Sequence, residues 1–268
     1  MRIVLFALMM MAATPAFAAP QRVVSLDYCA DQYVLALADR VQIAALSRGA
    51  QRDDSYFRDR ARGIRQVRPD LEDVLALKPD LIVRNWGGPW DAERVYARFG
   101  VTVLHVGDAH TFVDARADVL SAARALGHEE RGETIARDMD ARLARLRAEA
   151  TRSPPPVMYL SSGGAVAGSG VLMDDVIRAA GGRNVWTGES WTVLPLERMV
   201  ETPPALIALA FFDNGRTRIN AWSPARNPVL QRALARTQTV RLPPAAIACE
   251  SWYALDAAEQ IAAALRAP

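Results

Sequence analysis

Leu71-Glu72-Asp73-Val74-Leu75-Ala76-Leu77-Lys78-Pro79-Asp80-Leu81-Ile82 and Leu196-Glu197-Arg198-Met199-Val200-Glu201-Thr202-Pro203-Pro204-Ala205-Leu206-Ile207 align without a gap. In each copy a Leu-Glu pair opens a short amphipathic helix, a proline ends it, and an apolar run with strand character follows. The chain therefore reads as two similar halves. A cleft between two such halves is a favoured place for a ligand, which points to capture rather than catalysis.

Working outward from the first copy, Val23-Val24-Ser25-Leu26 reads as a short strand, about Ala30 to Ala38 as a helix and Val41 to Leu46 as the next strand. Ser47 to Arg65 is a polar, arginine-rich loop with no periodicity. Leu81-Ile82-Val83 and Val101 to Val106 read as strands, with a helix over Trp90 to Phe99 between them. From about Val113 to Thr151, with a break near Gly127, apolar residues such as Ile135, Met139, Leu143 and Leu146 recur at helical spacing, and Ser153-Pro154-Pro155-Pro156 stops the helix. The rhythm then resumes. Val157 to Leu160 is a strand, a glycine-rich loop runs from Gly163 to Gly170, and Leu172 to Ala180 is a helix ended by Gly181-Gly182. A strand from Leu206, a helix over Val229 to Ala235, a strand over Thr239 to Leu242 and a last helix over about Ala254 to Leu265 complete the chain.

Strands alternating with helices argue for parallel sheets covered on both sides. The expected fold is α/β: two Rossmann-like lobes with central parallel sheets, joined by one long α-helix, with a ligand cleft between the lobes. The expected divisions are 1–18 for a signal peptide, 19–122 for the first lobe, 123–152 for the joining helix and 153–268 for the second lobe.

The amino terminus indicates the compartment. Arg2 gives a charged start, Ile3 to Ala13 an apolar stretch, and Ala16-Phe17-Ala18 a small-residue cleavage site before Ala19, which is the order of a bacterial secretory signal. The apolar stretch is short of the roughly 20 residues that span a bilayer core. A mature periplasmic protein beginning near Ala19 is expected. Of 268 residues 51% are hydrophobic and 23% charged, enough for a sizeable core, and a net charge of +2 with no basic stripe argues against nucleic acid as a partner. The two cysteines, Cys29 and Cys249, allow either a disulfide in an oxidising compartment or two separate buried thiols.

Taken together, Arg22-Val23-Val24-Ser25-Leu26 before a helix, Leu77-Lys78-Pro79-Asp80-Leu81 within the first copy, and Gly181-Gly182-Arg183-Asn184-Val185-Trp186 resemble a known family. It is the periplasmic solute-binding component of ABC importers for iron complexes and vitamin B12. The resemblance runs from about Arg22 to Leu265. It implies a single helix bridging the lobes, a ligand held between loops of both, and delivery to a dimeric membrane permease. It also gives Glu72 and Glu197 a role, as the acidic position in each lobe that docks onto permease arginines. Each glutamate also suits the positive end of its own helix, an effect of roughly 0.3 to 1 kcal/mol, and both readings hold together.

Loops after the carboxyl ends of strands supply the ligand candidates. In the first lobe these are Asp27, Tyr28, Cys29, Gln32, Arg84, Asn85, Trp86, Trp90, Asp108 and His110; in the second, Ser161, Ser162, Trp186, Trp191, Asp213, Arg216, Arg218, Trp222, Trp252 and Tyr253. The strongest set is Tyr28, Arg84, Trp86, Trp90, Ser162, Trp191, Arg216, Trp252 and Tyr253. All six tryptophans fall in or beside predicted loops, which suits a large flat ligand with apolar faces. Arginines there suit carboxylates or an anionic iron complex.

Chemistry has less support. Gly163 to Gly170 lacks the Gly-Lys-Ser/Thr ending of a phosphate loop, and Gly188-Glu189-Ser190-Trp191-Thr192 lacks the second glycine of a nucleophile elbow. His105, His110 and His128 form no evident triad or zinc set, although His110 with Asp108 and Asp213 has the ligand types for a metal. The expectation is therefore a monomer without catalytic residues, cofactor or resident metal. It captures an iron(III)-siderophore, with cobalamin or haem as alternatives in the same class and a secreted metal-dependent hydrolase as the alternative from another class.

Overall fold

The computed structural model describes residues 19–107, 109–194, 199, 202–212 and 227–267. In chain order the first lobe contains β1 (Val23–Ser25), α1 (Tyr28–Leu37), β2 (Ile43–Ser47), β3 (Gln66–Val67), α2 (Leu71–Leu75), β4 (Leu81–Arg84), α3 (Ala92–Ala97) and β5 (Thr102–His105). Its sheet has the order β3-β2-β1-β4-β5, and every pairing is parallel. Then come α4 (Phe112–Leu126) and α5 (Glu129–Glu149). The second lobe contains β6 (Pro156–Ser161), β7 (Ala165–Ala167), α6 (Leu172–Ala179), β8 (Arg183–Asn184), β9 (Trp191–Val193) and β10 (Leu206–Ala210). It ends with α7 (Pro228–Arg236), β11 (Gln238–Leu242), α8 (Pro244–Ile247) and α9 (Leu255–Arg266). Its parallel sheet has the order β11-β10-β6-β8.

The aligned copies explain this symmetry. Leu81-Ile82 opens β4 and Leu206-Ile207 opens β10, and each strand pairs with the first strand of its lobe, Leu81 opposite Val23 and Leu206 opposite Val157. Read from β5 and from β11, the two sheets run in the same order, and the first lobe adds β3 beyond β2. β4 and β10 are buried along their whole length, as central strands of doubly covered sheets are.

The stretch read as one helix with a break near Gly127 is two helices. Thr111 and Asp114 form a reciprocal capping box at the start of α4, and Gly127 ends it in the left-handed conformation, φ 76°, open to glycine without strain. The 21-residue α5 then runs about 30 Å at 1.5 Å per residue.

One continuous apolar interior includes Val23, Tyr33 and Leu126 from the first half and Tyr159, Tyr253 and Ile261 from the second. A satellite core covers the other face of each sheet, around Ile82 and Tyr96 in one lobe and Ile207 and Leu230 in the other. The seam between lobes is densely tied. Cys29 and Cys249 are bonded, with Cα atoms 5.6 Å apart. Tyr33 meets Trp252 edge-on at 4.9 Å, and Ser251 Oγ donates to the Tyr33 hydroxyl at 2.9 Å. Tyr56 stacks on Tyr253 at 4.4 Å and donates to Asp256 Oδ2 at 2.6 Å. Arg142 of α5 donates to Asp256 at 2.6 Å and to Glu259 at 2.8 Å.

Two expectations change here. Trp252 and Tyr253, read as ligand candidates in a loop after a strand, are buried in this seam by Tyr33, Tyr56 and Phe57. The glycine-rich stretch from 163 to 170 is not only loop: β7 lies within it and pairs antiparallel with β9, Ala165 opposite Val193 and Ala167 opposite Trp191.

Candidate functional site

At the carboxyl end of β1, Asp27 takes an extended backbone and caps α1, its Oδ1 accepting from Ala30 N at 2.9 Å. Its Oδ2 accepts from three successive amides of the loop after β4: Asn85 at 2.7 Å, Trp86 at 3.1 Å and Gly87 at 2.9 Å. The loop lies so close to β1 that a Cβ on Gly87 would meet Leu26 O at 2.4 Å. From the other side Asn85 Nδ2 donates to Val106 O at 2.7 Å.

This loop lifts two indoles outward: Trp86 is 59% exposed and Trp90 86%. Tyr28, half-buried on the first turn of α1, meets Trp86 edge-on at 6.1 Å. The guanidinium of Arg52 lies 4.3 Å over the Tyr28 ring and is itself held by two bonds to Asp54, at 2.8 and 2.6 Å. That carboxylate holds the Arg52 pKa above its ordinary value. Arg84 does not join this face. It is buried, points with Ile82 and Tyr96 toward the satellite core and donates to Pro89 O at 2.8 Å, so it braces the loop from beneath.

In the second lobe Ser162 is buried, with its amide donating to Ala210 O at 2.9 Å, and it shapes the turn after β6. Trp191 on β9 is 43% exposed and lies edge-on to Tyr159 at 5.4 Å; burial pushes the Tyr159 phenol well up. His110 Nδ1 donates to Gly170 O at 2.7 Å and Phe112 N to Asp175 Oδ2 at 2.8 Å, which stitches the loop after β5 to the second lobe. Glu72 is exposed on the first turn of α2. Glu197, Arg216, Asp108, Asp213, Arg218 and Trp222 lie outside the described residues. Among the described residues no group of three His, Cys, Asp or Glu side chains is placed to hold a metal ion.

Tyr28 and Trp86 are therefore brought together, Trp90 is exposed further along the same loop, Trp191 lies on the other lobe, and Arg84, Trp252 and Tyr253 are buried. Arg52 and Tyr159 were missed from sequence. Arg52 sits in the loop without periodicity, and Tyr159 inside a strand reads as core.

A family model described as periplasmic binding protein matches residues 23–245. The chain belongs to this family. Membership makes it a periplasmic solute-binding protein of transport rather than an enzyme. This periplasmic binding protein is 27% identical over 209 residues to the vitamin B12-binding protein of Pectobacterium carotovorum subsp. carotovorum (strain PC1), with 73% of each chain covered. In fold it is similar to the periplasmic heme binding protein HutB of Vibrio cholerae, with a TM-score of 0.74, 20% identity, and 92% of this chain and 99% of that one covered. The periplasmic vitamin B12 binding protein BtuF of Vibrio cholerae gives a TM-score of 0.70 at 22% identity, with 92% and 97% covered.

Proposed function

We propose that this periplasmic binding protein captures a corrinoid of the vitamin B12 class and delivers it to an ABC permease. The observation that carries the reading is the outward presentation of Trp86 and Trp90 on a pinned loop at the carboxyl ends of the first sheet. Flat apolar surface with a polar N–H handle suits a large macrocycle. The sequence match to a vitamin B12-binding protein supports the same choice. The ferric siderophore expected from sequence has less support among the described residues, where Arg52 is paired with Asp54 and Arg84 is buried against Pro89 O, while Arg216 and Arg218 lie outside them. Haem is the second reading, favoured by the half-buried phenol of Tyr28 beside Trp86, since tyrosine serves as a haem iron ligand.

Isothermal titration of the mature protein with cyanocobalamin, a ferric hydroxamate and hemin tests this. Saturable one-to-one binding of cyanocobalamin alone is expected. Binding of the ferric hydroxamate alone restores the siderophore, binding of hemin alone selects haem, and no heat with any of the three overturns the reading. In the same proposal the chain is exported by cleavage before Ala19, acts as a monomer and docks through Glu72 and Glu197. Intact mass checks the cleavage. The paired Glu72→Arg, Glu197→Arg variant is expected to bind ligand normally and to lose uptake in cells, and full uptake by that variant overturns the docking assignment.

A further inference from the structure

Trp86 is placed by a residue that no ligand reaches. The turn that carries it sends three successive amides to one acceptor, Asp27 Oδ2. The other oxygen of the same carboxylate caps the helix that carries Tyr28. Asp27 is 1% exposed. Four N–H donors around one buried carboxylate make a charge-assisted set stronger than neutral bonds of the same number. A single side chain therefore fixes two segments far apart in sequence, those that present Tyr28 and Trp86, in the edge-on arrangement observed at 6.1 Å. The close approach of Gly87 to Leu26 O leaves the turn no slack toward the sheet.

We infer that Asp27 is a positioning residue: it preorganises the Tyr28–Trp86 pair as a fixed aromatic platform and so sets affinity without touching the ligand. Groups ordered before binding need not be ordered by it, which is where the affinity gain arises. The inference deepens the corrinoid reading and rests on it only where a ligand is used.

Asp27→Asn is the informative substitution. Asparagine keeps the shape but has one accepting oxygen, so either the helix cap or the three loop amides face an NH2 group. With 5-fluorotryptophan incorporated and the Trp86 line assigned through Trp86→Phe, the ligand-free wild type is expected to give one sharp fluorine resonance for Trp86. In Asp27→Asn that line broadens or splits while the line of Trp191, on the other lobe, is unchanged; an unaltered Trp86 line in the folded variant overturns the inference. Titrated with cyanocobalamin, Asp27→Asn is expected to bind about tenfold more weakly, and less than about twofold more weakly when Trp86→Ala is already present. Equal losses in both backgrounds also overturn it. If the wild type binds no cyanocobalamin, the corrinoid reading falls and the fluorine spectra still decide the role of Asp27. Should Asp27→Asn not fold, Gly87→Ala displaces the same turn with the carboxylate intact, and a sharp, unshifted Trp86 line in that variant rejects the platform.

Discussion

The two lobes share a strand order but secure the segments that carry Trp86 and Trp191 by different means. In the first, one carboxylate gathers the three amides of the Trp86 turn, a side-chain fastening that Asn85 and Arg84 supplement from either side. In the second, Trp191 rides on β9, which is laddered to β7 through three residue pairs, a backbone fastening that does not depend on any one side chain. Two halves with one strand order thus share a sheet plan while each fastens its loop locally. The first lobe becomes the sensitive half and the second the tolerant one.

The comparison is broken most severely by releasing the lobes from each other. Cys249→Ser opens a link across a sequence separation of 220 residues and is expected to lower stability by about 2–5 kcal/mol, or roughly 5–15 °C in melting temperature, read by calorimetry without reductant. Next comes the sensitive half itself. Trp86→Ala is expected to weaken cyanocobalamin binding by about 2 kcal/mol, roughly 30-fold by titration. A smaller effect falls on the seam. Arg142→Met removes the cation shared by Asp256 and Glu259, leaving Asp256 to Tyr56 and Glu259 to Arg145 at a partly exposed position, so after discounting for solvent the expected cost is about 1–2 kcal/mol in denaturant unfolding.

That contribution depends on pH in a defined sense. The hydrogen bond from Arg142 holds the Glu259 carboxyl below its ordinary value of 4.5, so the stabilisation is present above that value and is lost as pH falls through the lower folded value. Wild type and Arg142→Met are expected to converge in acid. The smallest effect belongs to the tolerant half: Trp191→Ala is expected to weaken binding less than about threefold, because part of its ring contact is with Tyr159 rather than with a ligand. A loss there matching that of Trp86→Ala removes the distinction between the lobes.

Local sequence carried the strands and helices far. Lys78-Pro79-Asp80 and Pro203-Pro204-Ala205 mark where central strands begin, and both strands start where the pattern places them. The loop from 47 to 65 did not read, since Tyr56 and Phe57 have no periodicity; their meaning lies in contacts with Tyr253 and Trp252, across most of the chain. For the same reason Trp252 looked available beside Ser251, although the residues that bury it come from the opposite lobe. The β7–β9 pairing joins two short segments on either side of α6 and β8, so no local alternation announced it. Trp86 and Trp90 were legible as exposed loop residues because glycine and proline beside them rule out a packed strand or helix interior. Arg84 was not, because the direction of the last side chain of a strand depends on register.

The Cys29–Cys249 bond also limits what a partial chain can complete. Its two cysteines lie 220 residues apart, so a chain that stops short of residue 249 has no partner for Cys29. Such a chain is expected to leave Cys29 open to alkylating reagents, a chemical mark of incomplete maturation.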